Sequence, residues 1–182
     1  MLNLIVEEAI PLLQRGGVIA YPTEAVYGLG CSPFNEAAVV SIQALKGREA
    51  HKGFIILIAD WSQLFPLIDS VTEAQLARVR ETWPGFVTWV FPKATSLPTW
   101  LTSDRDSIAI RMSAHPIARA LAVAAPIIST SANVSGQPPA TTKDAVLQQF
   151  PHGIDGIVQG ALGASIKPSP IYDVRNGLQF RA

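Results

Sequence analysis

Three cationic residues lie within seven positions of one another at the end of a predicted helix: Lys46, Arg48 and Lys52. Lysine supplies a compact positive charge, and arginine supplies a planar fork that binds two phosphate oxygens. Together they can bind polyphosphate and stabilise the charge that develops during phosphoryl chemistry. The same residues also fit an exposed loop that compensates the dipole at the carboxyl end of a helix. From this cluster alone, both interpretations stay open.

A polar segment at residues 129–133 follows the apolar residues 126–128. If the segment is extended, Ser129, Ser131 and Asn133 share one face, where hydroxyl and amide groups can hold a phosphate, a sugar or a carboxylate. The alternative is a turn that caps the next segment, because Ser and Asn are common in turns. A nucleophilic serine is disfavoured, since the chain has no G-x-S-x-G motif.

Thr23 and Arg111 are two further candidate ligands. Thr23 lies in residues 21–24 (Y-P-T-E), at the end of a predicted strand, where open α/β sheets commonly build ligand sites. Arg111 lies in the apolar residues 108–112, and an arginine in such a strand needs an anion or water to face. A ligand carboxylate is one such anion. An ordinary turn at Thr23 and an internally paired or edge-facing Arg111 are equally compatible with these residues.

Composition and motifs exclude several classes of protein. Fourteen Lys and Arg balance fourteen Asp and Glu, so nucleic-acid binding would need local clustering of charge. Cys31 is the single cysteine, and with three scattered histidines it forms no zinc-site spacing, so we expect no protein-bound metal site. The chain contains neither a P-loop motif nor a complete G-x-G-x-x-G fingerprint, which disfavours both of those nucleotide sites.

No targeting or membrane signal is apparent. The first residues do not resemble a secretion signal, and no apolar run reaches the roughly 18 to 20 residues of a membrane helix. We therefore expect a cytoplasmic protein without a membrane partner.

Alternating helices and strands must position the candidate residues. Apolar periodicity predicts helices over residues 3–15, 36–46, 72–81 and 115–124, and strands over residues 18–21, 54–59, 86–91 and 107–112. Gly156, Gly160 and Gly163 are interpreted as turn residues. The alternation predicts an α/β fold, with helices covering a sheet of mixed strand pairing, in a single domain over residues 1–182.

In their order and spacing, these segments resemble the YrdC family in its short bacterial form. The resemblance rests on residues 21–24, Lys46-x-Arg48 with Lys52, residues 83–85 (W-P-G), Ile110-Arg111, residues 129–133 and Pro168-Ser169. It implies a twisted, mixed α/β sheet flanked by helices, with a concave and positively lined cavity. It also implies an enzyme, a nucleotidyltransferase, that joins L-threonine, bicarbonate and ATP into threonylcarbamoyl-AMP and pyrophosphate.

The resemblance further implies partners. The product would serve the threonylcarbamoyladenosine modification of tRNA next to the anticodon, through a separate transferase complex, and Mg²⁺ would arrive with ATP. The family resemblance also implies possible RNA binding. A non-catalytic module that binds double-stranded RNA or tRNA is therefore the rival interpretation, although the chain has no RNP-like motif or basic stripe.

Roles for single residues follow from the resemblance as well. The residues placed on ATP are Lys46, Arg48, Lys52, Ser107, Ser131, Asn133 and Arg181, of which Lys46 and Arg48 are catalytic. The residues placed in the threonine pocket are Thr23, Arg111, Ser129 and Ser169, with Arg111 on the amino acid's carboxylate. Glu49 and Phe86 stand where the family often has proline, and neither change removes a proposed ligand.

Overall fold

A computed structural model describes residues 2–47, 53–102 and 104–181. Ten strands within these residues form one sheet. The strands are β1 (Leu2–Leu4), β2 (Ile19–Pro22), β3 (Tyr27–Gly30), β4 (Ile55–Ile58), β5 (Thr88–Pro92), β6 (Ser107–Met112), β7 (Ile127–Ser131), β8 (Gly156–Val158), β9 (Ile171–Asp173) and β10 (Gln179–Arg181). The helices are α1 (Val6–Gln14), α2 (Glu36–Lys46), α3 (Glu73–Arg80), α4 (Thr99–Thr102), α5 (Pro116–Ala122) and α6 (Lys143–Gln149), with short 3-10 turns at Trp61–Gln63 and Phe65–Leu67.

The strand order is β1-β8-β2-β3-β7-β4-β6-β5-β9-β10. Four neighbouring pairs are parallel, β1/β8, β2/β8, β4/β6 and β5/β9, and the other pairs are antiparallel. The expected α/β sheet with mixed pairing is therefore confirmed. That residues 1–182 form one domain stays a prediction.

Apolar side chains fill both faces of the central strands. In β4, Ile56 and Ile58 join a core on one face, while Leu57 joins a second core on the other face. The second core contains buried residues of α1 and α5, such as Leu13 and Leu121. Because side chains alternate along a strand, burial on both faces explains why β4 is apolar throughout.

The helix α2 has the bounds that the sequence predicts. The side chain of Asn35 accepts a hydrogen bond from the Ala38 backbone N–H at 3.0 Å and so caps the first turn. Gly47 ends the helix in the left-handed conformation, with φ of 55°, which glycine adopts at little cost. The cap and the terminator together fix Lys46 as the last helical residue.

Two predictions near the first sheet edge are wrong. Residues 2–4 form a strand rather than helix, and the helix begins at Val6. Gly156 is not a turn residue but begins β8, where a Cβ atom would collide with the Leu4 side chain. Because β1 and β8 pair across more than 150 residues, local periodicity does not reveal either strand.

Candidate active site

A cavity of about 1000 Å³ lies over one face of the central strands. Its floor includes one row of paired positions, from Ser129 on β7 through Ile55 on β4 and Ala109 on β6 to Val90 on β5. Two residues to either side of Ala109, Ser107 and Arg111 also line the cavity. Strand alternation explains this grouping, since side chains two residues apart point to the same face.

Seven of the eleven residues predicted for the site line this cavity: Thr23, Ser107, Arg111, Ser129, Ser131, Ser169 and Arg181. Lys46 and Asn133 are not among the lining residues but adjoin Ser131. Arg48 and Lys52 lie outside the described residues. The structure therefore brings together most of the positions that the sequence separates by up to 158 residues.

The charged residues that line the cavity are all cationic among those that the structure describes. Five cationic side chains contribute to it: Arg105, Arg111, Lys167, Arg175 and Arg181. No aspartate or glutamate lines the cavity within residues 2–47, 53–102 and 104–181. A cavity lined in this way favours anionic ligands.

Arg111 lies buried in the cavity wall, with 7% of its side chain exposed. Its Nη2 lies 3.3 Å from Oε2 of Glu24, and its guanidinium lies 5.4 Å from the centroid of the Phe86 ring. Its Nε has no hydrogen-bond partner in the described structure. Arg111 therefore lines the cavity with a guanidinium that makes a single, long contact with Glu24, and a ligand carboxylate is an anion of the kind that such a group binds.

A second cluster of hydrogen bonds surrounds Ser169. The hydroxyl groups of Ser169 and Thr88 lie 3.0 Å apart, and both residues are buried. Arg181 donates from Nε and Nη2 to the backbone carbonyl of Ser169, at 3.0 and 2.8 Å. Burial, and then the positive charge of Arg111, lower the pKa of Arg181. Two guanidinium groups thus repel one another at this end of the cavity, and a bound anion would relieve that repulsion.

Thr23 lies in the tight turn between β2 and β3. Its hydroxyl donates to the backbone carbonyl of Val26 at 2.7 Å, and its backbone N–H donates to the same carbonyl at 3.2 Å. The hydroxyl oxygen keeps acceptor capacity. Thr23 therefore belongs to a turn, as one interpretation of the sequence holds, and also lines the cavity.

Lys46 connects the end of α2 to the end of β7. Its ammonium donates to the backbone carbonyl of Ser131 and, at 2.7 Å, to that of Asn133. The Ser131 hydroxyl donates to Oδ1 of Asn133 at 2.6 Å. Lys46 is buried, and its charge lies within hydrogen-bond distance of the backbone of Ser131, a residue that lines the cavity. Of the three residues predicted to share one face, only Ser129 and Ser131 lie in β7, because Asn133 lies beyond the end of that strand.

Several functional candidates were not identified from the sequence: Glu24, Thr88, Arg105, Lys167 and Arg175. Glu24 belongs to the Y-P-T-E motif, but its partner Arg111 lies 87 positions away. Thr88 and the three cations carry no local motif. Their roles emerge only when the sheet and its loops assemble the cavity.

Metal ligands and membrane segments were also sought in the structure. Within the described ranges, His, Cys, Asp and Glu form no group of three or more that could hold a metal ion. No helix of the described residues is long and apolar enough to cross a membrane.

Comparisons with known proteins find relatives that match nearly the whole chain. The model of the Sua5/YciO/YrdC family, described as "Telomere recombination", matches residues 11–181. A threonylcarbamoyl-AMP synthase of Coxiella burnetii is 45% identical over 174 residues, which cover 94% of each chain. A threonylcarbamoyl-AMP synthase of Stutzerimonas stutzeri is 45% identical over 97% of this chain and 96% of its own.

Solved structures show the same fold. The structure of P. abyssi Sua5 complexed with L-threonine superposes with a TM-score of 0.88 and 35% identity over 96% of this chain. The chain spans about half of that protein's length, 52%. E. coli YciO superposes with a TM-score of 0.82 and 26% identity, over 97% of this chain and 87% of its own. With the family model matched over nearly its whole length, the chain belongs to the Sua5/YciO/YrdC family.

Proposed function

We propose that the chain is an enzyme that forms threonylcarbamoyl-AMP and pyrophosphate from L-threonine, bicarbonate and ATP. Relatives that are 45% identical over nearly the whole chain carry the name of this activity. The structural observation that carries the proposal is the cavity of about 1000 Å³, with five cations and no carboxylate among its described lining residues. Both an amino acid's carboxylate and a triphosphate require such positive surroundings.

The proposed reaction uses only groups that the three substrates supply. The amine of threonine attacks the carbon of bicarbonate, and loss of water leaves a carbamate. A carbamate oxygen then attacks the α-phosphorus of ATP, and the bond to the β-phosphate oxygen breaks to release pyrophosphate. The enzyme is thus a nucleotidyltransferase, and its contribution is to position the reactants and to stabilise developing negative charge.

For threonine, we propose a pocket formed by Thr23, Arg111, Ser129 and Ser169. Arg111 binds the carboxylate, because it lines the cavity and its guanidinium contacts Glu24 through only one nitrogen, at 3.3 Å. Support for an amino-acid site also comes from the structure of P. abyssi Sua5, which is complexed with L-threonine. Ser129 and Ser169 contribute hydroxyl groups to the same cavity.

For ATP, we propose that Lys46 and Arg48 are the catalytic cations. Lys46 acts from behind Ser131, which lines the cavity together with Ser107. The remaining residues proposed on ATP are Lys52, Ser107, Ser131, Asn133 and Arg181. Support for Arg48 and Lys52 comes from Gly53, the first described residue after them, which lines the cavity.

Mg²⁺ is proposed to arrive with ATP, bound to the phosphate oxygens. Phosphate oxygens are ligands of the kind that Mg²⁺ takes in nucleotide sites. When bound, the ion would neutralise charge on the phosphates.

The product is proposed to serve tRNA modification next to the anticodon, in the cytoplasm. A separate threonylcarbamoyl transferase complex would use it. The proposal includes direct contact of this chain with tRNA or double-stranded RNA, and the affinity for RNA would then fall steeply with added salt.

Pyrophosphate release by the purified protein tests the proposed function. ATP and Mg²⁺ are supplied, and threonine and bicarbonate are each present or omitted in turn. We expect release only when both are present. Release that needs neither would indicate ATP hydrolysis, and no release from a sample that binds ATP would refute the proposed function for the chain alone.

A further inference from the structure

Glu24 lies behind Arg111, away from the cavity lining. Its side chain is 11% exposed, and its Oε2 lies 3.3 Å from Nη2 of Arg111. Its Oε1 accepts a hydrogen bond of 2.6 Å from the hydroxyl of Ser113. Arg111 lies in β6 and Ser113 follows the end of that strand, two positions later. One carboxylate therefore contacts two side chains at the same end of β6.

The backbone around Glu24 is also held in place. The loop after β8 donates from Ser165 N to the Glu24 carbonyl at 3.0 Å and from Gly163 N to the Thr23 carbonyl at 2.9 Å. A Cβ atom at Gly163 would collide with the backbone of Glu24, so a glycine is needed for this close approach. Both ends of Glu24, its carbonyl and its carboxylate, are thus fixed to different parts of the fold.

The contact between Glu24 and Arg111 leaves hydrogen-bonding capacity unused. Oε2 of Glu24 and Nε of Arg111 are both buried and have no hydrogen-bond partner among the described residues. A buried guanidinium without a counter-charge is costly, and Glu24 supplies that counter-charge. It does so through one nitrogen, without forming a bidentate pair.

We propose that Glu24 is a positioning residue for the amino-acid substrate. Its carboxylate compensates the charge of Arg111 and fixes the guanidinium, while the part of Arg111 that lines the cavity is left for the substrate's carboxylate. Glu24 acts through Arg111, because it does not itself line the cavity. This inference rests on the proposed function, in which Arg111 binds the carboxylate of threonine.

The substitution Glu24→Gln tests the inference, since it removes the charge and keeps the size of the side chain. We expect the KM for threonine to rise on the order of 10-fold, because a misplaced binding group lowers the affinity for the ligand that it contacts. We expect the KM for ATP to stay within about twofold. A purely structural role would lower the amount of folded enzyme and the apparent kcat, but it would leave the KM for threonine unchanged.

A matched control is Glu73→Gln. Glu73 also pairs with an arginine, Arg80, but on the exposed surface of α3 and away from the cavity. This variant should show the parent KM for both substrates. If both glutamine variants shift the KM for threonine equally, Glu24 has no particular role.

Two further variants keep the inference testable if Glu24→Gln does not fold. Ser113→Ala removes one restraint on Glu24 and leaves the ion pair in place, and it should raise the KM for threonine about threefold. In an Arg111→Lys background, Ser113→Ala should have no further effect on that KM, because Glu24 acts through the arginine. An unchanged KM in Ser113→Ala would overturn the inference.

The outcomes separate this inference from the proposed function. If the parent enzyme releases no pyrophosphate with threonine and bicarbonate, the proposed function fails. If the parent enzyme releases it and the Glu24 and Ser113 variants keep the parent KM for threonine, only the positioning role fails.

Discussion

Two arginine–carboxylate pairs border the cavity, and they are built differently. Arg175, which is 52% exposed, binds Asp173 through two nitrogens, with Nε 3.0 Å from Oδ1 and Nη2 2.7 Å from Oδ2. Arg111, which is 7% exposed, approaches Glu24 through one nitrogen at 3.3 Å and leaves Nε without a partner. Both arginines line the cavity. The exposed Arg175 therefore forms a bidentate contact within the fold, whereas the buried Arg111 contacts its carboxylate through one nitrogen only.

The separation of the partners along the chain explains the difference. Asp173 and Arg175 are two positions apart, so a turn after β9 brings their side chains into a full bidentate contact. Glu24 and Arg111 are 87 positions apart, and the sheet sets their distance. A remote pair can thus be held at a spacing that neutralises charge without a bidentate contact. We infer that this spacing distinguishes a ligand-binding arginine from a structural one.

Lys46 gives the strongest test of this distinction between structural and ligand-binding cations. Its ammonium binds backbone carbonyls, as a structural cation would, and yet we propose that it is catalytic. In Lys46→Ala we expect pyrophosphate release to fall about 100-fold or more, because a positive charge behind the phosphate site is lost. The carbonyls of Ser131 and Asn133 would also lose a donor, which lowers stability. Turnover should therefore be normalised to the folded fraction measured by circular dichroism. Parent turnover per folded molecule would assign Lys46 to the fold alone.

Arg111→Lys tests the comparison at its centre, because it keeps the charge and removes the planar fork. We expect the KM for threonine to rise about 30-fold, the equivalent of one charge-assisted hydrogen bond of about 2 kcal/mol. The matched control is Arg175→Lys, which should change that KM by less than about twofold. Equal effects of the two substitutions would show that spare hydrogen-bonding capacity does not identify the substrate's partner.

Local sequence signals predicted the elements that carry the site better than they predicted the sheet edges. The helix Glu36–Lys46 and the strand Ser107–Met112 have their predicted bounds, because a capped amphipathic helix and a buried apolar strand each have a local pattern. The strands β8, β9 and β10 were not predicted. Each has only three residues, and each is stabilised by pairing with a distant segment.

The sequence predicted single residues of the candidate site, but it did not predict which residues contact one another there. Motifs identified Arg111 and Ser129, which line the cavity. They could not identify Glu24 as the partner of Arg111 or Thr88 as the partner of Ser169, because sheet register and loop packing create both contacts. Phe86 was noted only as a departure from the family pattern, but its ring lies beside Arg111.

Phe86→Leu sharpens the comparison, because the guanidinium of Arg111 lies 5.4 Å from the centroid of the Phe86 ring. The ring attracts the guanidinium and limits its movement. We expect the KM for threonine to rise about threefold, the equivalent of a modest cation–π contact. Phe65→Leu is a control on an exposed 3-10 turn outside the cavity and should leave the KM unchanged. An unchanged KM for threonine in Phe86→Leu would show that the ring does not help to hold Arg111, which would leave Glu24 as the residue proposed to do so.

The smallest effect is expected for Asp173→Asn, which breaks the saturated pair and should affect stability alone. Hydrogen bonding from Arg175 holds the pKa of Asp173 below its usual value. A carboxylate with a lowered pKa contributes stability above its unfolded pKa of about 3.9, and this contribution is lost as the pH falls through the folded pKa. The urea midpoint of the variant should therefore be slightly lower than that of the parent at pH 7, and the difference should shrink in acid.

The KM for threonine should not change in Asp173→Asn. A raised KM with an unchanged urea midpoint would mean that the pair of Asp173 and Arg175 serves the ligand, and the distinction between the bidentate and the single-contact arginine would fail.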